Sequence, residues 1–316
     1  MTAFSRFLAG FALPAVLAAC GGRGSSPPLE NSPAPGPAAT PAAAESKTVD
    51  PAPPRDQEAM QAAAVEELRK ELGAGFVVGG RFPFAVGSDL TPERMSRYVE
   101  GTIGKAYDAF YGQFFKVRPD CVFRVYLFAN DVSFRENVKR LWDEKTISPY
   151  GWYSPAKKAL IMNIGTGGGT LVHEMVHALM AFDFPDVPTW FSEGMGSLFE
   201  QCSIDAGTIL GHENWRLPIL KKGIAEKRIL PLRKLMATSR GEFLDGESSL
   251  HYAQARYFCM HMQEEGLLTE FYKAFRDGFA ADKTGIPTAE KVLGKPLEKA
   301  ERETLDWVAT LKWEGR

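Results

Sequence analysis

From residue 57 onward the apolar positions recur first with a mixture of periods and then with the helical one alone. Gln57 to Leu72 is rich in alanine and charged residues, a weakly amphipathic helix former that Gly73 and Gly75 bring to an end. Phe82-Pro-Phe-Ala-Val predicts a short strand. Thr91-Pro92-Glu93 predicts an N-cap with proline in the first turn, opening a helix to about Phe115. Cys121 to Phe128 (CVFRVYLF) is β-rich with partial alternation, as expected of a central strand. A helix is expected over Ser133 to Trp142, then strands over Tyr150 to Ser154 and Ala159 to Ile164, joined by a Pro155-Ala-Lys-Lys turn. Beyond Thr170 the period is helical at 170–182, 190–203, 213–226, 250–264 and 267–278, with Pro and Gly in the gaps. Strands first and helices after predict an α+β fold in one domain over 56–316: an αβ part with a mixed sheet over about 76–182 and a mainly helical part over 183–316.

The first 55 residues follow neither period. Phe7 to Ala19 is an apolar run behind Arg6, too short to span a bilayer, and Leu17-Ala18-Ala19-Cys20 resembles the lipobox of bacterial lipoproteins. Residues 1–20 are therefore expected to be a signal peptide, with Cys20 acylated and anchoring the chain to a membrane. Residues 21–55, dominated by Pro, Ala, Gly and Ser, lack the large apolar side chains needed to offset ordering entropy and are expected to be a disordered tether. Gly21 lacks the aspartate that would favour inner-membrane retention, so the resemblance implies the outer membrane, facing the periplasm.

Composition narrows the classes. With 45% hydrophobic and 24% charged residues the 316-residue chain is globular, which excludes wholesale disorder and a multi-span membrane protein. A net charge of −2 gives no pull toward a phosphate backbone, so nucleic acid is not an expected partner. Apart from Cys20 the cysteines are Cys121, Cys202 and Cys259, an odd set in apolar surroundings, expected to be unpaired thiols.

The chemistry lies in Leu171-Val172-His173-Glu174-Met175-Val176-His177, an H-E-x-x-H within a helical apolar pattern. Four residues advance a helix by about 400° and about 6 Å, so His173 and His177 share a face and can hold one ion. Glu174, on the same turn, can reach a water at that ion without ligating it. Zinc suits such ligands, and a catalytic zinc takes three protein groups and leaves a position open. The third is sought in Trp190-Phe191-Ser192-Glu193-Gly194, because Pro185 and Pro188 break the first helix and return the chain. Glu193 is the expected ligand. Glu200, seven residues on, is the runner-up. Gly194 and Gly196 would allow close helix approach near the ion. Gly165-Thr-Gly-Gly-Gly-Thr170 has the composition of a phosphate loop but no following lysine, so a flexible lead-in to the metal helix is expected; His212 and His261 have no partner at ligand spacing.

His173-Glu174-x-x-His177 followed by Pro188-Thr-Trp190-Phe-Ser-Glu193-Gly194 resembles the gluzincin metallopeptidases, and among them the peptidase MA-like group. The resemblance implies a zincin-like fold, one zinc ion on His173, His177 and Glu193, Glu174 as the catalytic residue that takes a proton from zinc-activated water, and a peptide or protein substrate. It also implies a Tyr or His donor to the oxyanion from the helical half, either Tyr252 or His251, of which only one should face the cleft. The strand Ala159 to Ile164 would correspond to the edge strand that binds extended substrate, with Asn163 as a possible backbone contact or as a turn former before Gly165. Ser197 stands four residues after Glu193, where the clan often has an acid bonded to a zinc histidine. A neutral hydroxyl there would orient the ring less strongly. Three functions compete: a membrane-anchored zinc peptidase, a catalytically weak or inactive zincin-fold lipoprotein acting as a binding or scaffold protein, and a zinc hydrolase for a non-peptide bond.

Overall fold

The computed structural model describes residues 55–144 and 148–315. The signal sequence, Cys20 and residues 21–54 of the tether lie outside the described residues. The described part opens with helix α1 (Arg55–Leu72), and the single strand expected around Phe82 is instead a hairpin of β1 (Val77–Arg81) and β2 (Phe84–Ser88). Pro83 lacks an N–H and occupies the hairpin turn, which it cannot do inside a strand. Thr91 caps α2 (Pro92–Ser96) by accepting from the Arg94 N–H; the helix widens to a π-helical stretch over Arg97–Gly104 and continues as α3 (Lys105–Gln113).

Strand β3 (Phe123–Phe128) and helix α4 (Asp131–Trp142) follow, then β4 (Gly151–Ser154) and β5 (Ala159–Asn163). The five strands form one mixed sheet in the order β1-β2-β3-β5-β4. The β2-β3 and β3-β5 pairs are parallel, and the outer pairs are antiparallel. Alternation in β3 sets the layers: Phe123, Val125 and Leu127 face the main core, whereas Tyr126 and Phe128 face a smaller cluster with Leu68 and Leu72 of α1 and Phe134 and Val138 of α4. The expected edge strand, Ala159 to Ile164, is interior. It is wholly buried between β3 and β4, as its unbroken apolar run Ala159-Leu-Ile-Met requires, and the edge is β4.

Helix α5 (Gly169–Asp183) carries the H-E-x-x-H and runs through the main core, with Leu171, Val172, Met175, Val176, Leu179 and Met180 buried. Pro188 precedes α6 (Thr189–Leu198), which is planted by the fully buried Trp190 and Phe191, the former donating through Nε1 to the Thr284 carbonyl at 2.9 Å. The expected helix over 190–203 stops at Leu198. A second sheet, β6 (Cys202–Asp205) paired with β7 (Thr208–Gly211), interrupts the helical half through a two-residue turn, Ala206 at φ 46° and Gly207 at φ 80°. The rest is helical: α7 (Arg216–Ala225), α8 (Leu232–Met236), α9 (Arg240–Leu244), α10 (Ser248–Glu264), α11 (Leu268–Gly278), α12 (Ile286–Leu293) and α13 (Leu297–Thr310). The architecture is α+β, an N-terminal mixed sheet with helices and a largely helical C-terminal region. Among the described residues no helix is long and apolar enough to cross a membrane, and Cys121, Cys202 and Cys259 are free thiols.

Two contacts lock the helices of the metal motif and its third ligand in place. A Cβ on Gly194 would sit 2.9 Å from Cys259 Sγ and 3.1 Å from the Ala255 carbonyl, so glycine lets α6 lie directly on α10. At the C-terminal end of α5, Asp183 accepts from the Lys116 and Val117 N–H groups (2.6 and 2.7 Å), the Tyr272 hydroxyl (2.9 Å) and Arg276 Nη1 (2.9 Å). One carboxylate thereby joins α5 to the segment after α3 and to α11.

Candidate metal centre

His173 and His177 lie one turn apart on α5 and turn their Nε2 atoms toward each other at 2.9 Å. The return through Pro185 and Pro188 brings α6 alongside, and Glu193 Oε2 stands 3.4 Å from His173 Nε2 and 3.3 Å from His177 Nε2. This is the described residues' one cluster of three or more metal-ligating side chains, its donor atoms all within 4.8 Å of one another. Three ligands about 2.0–2.2 Å from a common centre stand about 3.3 Å apart when tetrahedral, so the spacing suits one zinc-sized ion.

Two further observations fit a cation. Glu193 Oε2 is buried without a hydrogen-bond partner, an orphan that a carboxylate does not tolerate unless something positive faces it. Around the histidines stand three carboxylates, Glu174, Glu193 and Glu200, with one guanidinium in contact, Arg216. Two negative charges are left over when all three are ionised, and a divalent ion would neutralise them. Without it the protons take that place: burial alone would lower the His173 imidazole, but Glu193 and Glu200 on its two sides outweigh burial and push it up to about 10. Burial works against the Glu193 charge as well, yet the two imidazoles hold its carboxyl well below the usual range.

Each ligand ring has a polar neighbour behind it. His177 Nδ1 meets Ser192 Oγ at 2.9 Å. His173 Nδ1 lies 3.1 Å from Glu200 Oε1, an ion-pair contact without hydrogen-bond geometry, and Glu200 is in turn clamped by Arg216 through Nε to Oε2 (3.0 Å) and Nη2 to Oε1 (2.7 Å). Ser197 does not play the expected part. Its buried Oγ has no partner, and its carbonyl accepts from Arg256 Nε at 2.9 Å. Glu200 instead supplies the acid from three residues further on, because α6 ends at Leu198 and the chain beyond turns the side chain back to His173. Gly169 makes this possible, since any Cβ there would strike the Glu200 carbonyl. The glycines before His173 thus include one set by close packing, where flexibility was expected. Gly196 likewise lies under the His173 ring, with a Cβ position 3.1 Å from Cε1 and Nε2. Glu200→Ala is expected to weaken zinc binding about 10- to 100-fold, whereas Ser197→Ala leaves it within about twofold, as a competition titration with a chromogenic chelator would show.

Glu174, partly exposed beside the pair, accepts from the Tyr153 N–H of β4 at 2.9 Å, so the edge strand and the candidate base are in direct contact. Burial pushes its carboxyl up, partly offset by the two imidazoles. Tyr252 comes to the site: its ring is 5.0 Å from the Arg216 guanidinium, and burial and the neighbouring Glu193 raise its hydroxyl well above 10. His251 does not, since its Nδ1 meets the Phe243 carbonyl at 2.9 Å. Asn163 is consumed internally, donating to the Pro149 carbonyl and accepting from the Gly165 N–H, so a substrate contact gives way to the turn-forming role. His212 pairs with Ser203 and His261 with Thr304, both outside the cluster. Ser192 and Arg216 were not legible in advance; Ser192 adjoins Glu193, but its reach to His177 needs the antiparallel docking of α5 and α6. Neither a model of a known protein family nor a curated protein matches the chain.

Proposed function

We propose that the chain is a zinc-dependent peptidase of the gluzincin kind, held at a bacterial envelope membrane, the outer membrane facing the periplasm, by lipid on Cys20. The observation that carries this reading is the convergence of His173, His177 and Glu193 on one point with Glu174 beside them. His173, His177 and Glu193 would hold the ion. When bound, zinc supplies Lewis acidity, which polarises a carbonyl and makes a water acidic near neutrality.

The protein groups divide the remaining work. Glu174 takes a proton from the attacking water and returns it to the leaving amine, its carboxylate aimed by the Tyr153 N–H. Tyr252 donates its hydroxyl hydrogen toward the carbonyl oxygen of the substrate as that oxygen gains charge. Ser192 and Glu200 fix the two rings so that little reorganisation is needed during the reaction. Strand β4 has no strand partner among the described residues on the side away from β5, and there, apart from the Tyr153 N–H held by Glu174, it offers main-chain groups to an extended peptide. The alternative, a non-catalytic zincin lipoprotein, rests on the neutral Ser197 and on the lack of an evident specificity pocket; the contact of Glu200 with His173 weighs against the first of these.

The test is a peptide pool incubated with fractions of cells making the full-length chain. Hydrolysis is expected in the membrane fraction, shifted to the soluble fraction by Cys20→Ser, stopped by a chelator and restored by zinc. Zinc-loaded protein that binds peptides without cutting them would support the scaffold instead, and cleavage of esters but not peptides would support the third function.

A further inference from the structure

Arg216 is a buried cation that takes no part in the reaction itself. It opens α7, and its Nε and Nη2 both donate to Glu200, the acid beside His173. A lysine would neutralise Glu200 as well, but it has no plane to lay against a ring. Arg216 uses that plane: its guanidinium carbon stands over the Tyr252 ring, 5.0 Å from the centroid. Phe243, wholly buried on α9, packs on the same ring with centroids 5.4 Å apart. Tyr252 is thus bounded by a planar cation and by a second aromatic ring, and its hydroxyl comes to stand beside Glu193.

Both attachments fall on one group. A guanidinium fixed by two bonds to one carboxylate has little freedom to tilt, so it makes a firm seat for the ring, and the ring in turn limits the guanidinium that holds Glu200. A hydroxyl that must meet charge developing on a substrate oxygen gains from such a seat, because a donor set in advance needs no reorganisation. Resting on the peptidase reading, we propose that Arg216 is a positioning residue that couples the two sides of the site: it seats the Tyr252 ring for catalysis and steadies Glu200 behind His173.

The test is a double-mutant cycle on zinc-saturated full-length protein with a cleaved peptide as substrate. Tyr252→Phe, which keeps the ring and removes the hydroxyl, is expected to lower kcat about a hundredfold. Arg216→Lys is expected to lower kcat about tenfold with KM within about twofold, but to cost no more than about twofold in kcat when added to Tyr252→Phe, where no hydroxyl is left to misplace. An equal loss in both backgrounds would overturn the proposal, since an arginine that only supports the fold acts whether or not the hydroxyl is there. The coupling is also read without turnover, from zinc affinity in a competition titration. Tyr252→Leu, which removes the ring, is expected to weaken zinc about fivefold and Tyr252→Phe to leave it within about twofold, and the effect of the ring vanishes in Arg216→Lys. Equal zinc affinity in wild type and Tyr252→Leu would overturn the proposal, and this arm stands even if Arg216→Lys does not fold. Failure of the peptidase reading is seen separately, as no hydrolysis of any peptide by the wild type; the zinc titrations then decide the proposal alone.

Discussion

Glu174→Gln is expected to lower kcat/KM on every cleaved peptide by about a thousandfold while the protein keeps its zinc. Glutamine has the same shape, and its carbonyl oxygen can accept the Tyr153 N–H that Glu174 accepts at 2.9 Å. The side chain is not among the three that converge, so His173, His177 and Glu193 keep their geometry. What the amide loses is the capacity to take a proton and give it back. Steady-state kinetics beside metal analysis separate the possibilities. Retained activity would show that another group moves the proton, and lost zinc would show that Glu174 supports the site in some other way.

Asp183→Ala is expected to cost about 3–5 kcal/mol of stability near neutral pH, a large share of what a domain has. The carboxylate side chain is fully buried and takes four donors, among them Arg276, itself only 11% exposed, which the substitution leaves without its buried partner. The pH dependence follows from the direction of the shift. Burial alone would raise the Asp183 carboxyl, but Arg276, the two N–H groups and Tyr272 outweigh it and lower the pKa below 3.8. A depressed folded-state pKa gives stability that is fully present above the unfolded value, about 3.9, and is lost as pH falls through the folded one. Urea unfolding of wild type and Asp183→Asn between pH 7 and pH 3 should therefore show a gap that is constant down to about pH 4 and then narrows. A gap that widens in acid would contradict the role given to the carboxylate.

Local rules made the metal motif legible. His173 and His177 share a face because a helix repeats in 3.6 residues, and Glu193 comes to them because Pro185 and Pro188 force a return. The same rule misled beyond Leu198. Glu200 sits seven residues from Glu193 and read as the runner-up ligand on one helix face, but the helix has ended by then, and its carboxylate arrives behind His173 by a turn of the chain that Gly169 accommodates. The β6–β7 hairpin was hidden for a related reason: its turn carries Ala206 at φ 46° where Asn or Asp would have signalled it, although Gly207 stands in the expected second place. Sheet order was beyond reach as well. Ala159 to Asn163 and Gly151 to Ser154 both read as strands, and only the pairing of the first with β3 leaves the second at the edge. For Glu200 and the sheet order the missing information was a contact between segments far apart in the chain; for the hairpin it was a local turn without its usual residue.

Zinc titration of the purified wild type and of Glu193→Ala, followed by calorimetry and metal analysis, probes most directly whether the α6 carboxylate completes a site begun by two α5 imidazoles. The wild type should take up one zinc per chain, and the variant should bind it about a hundredfold more weakly or not at all. One tightly held zinc in both proteins, or none in the wild type, would contradict the account.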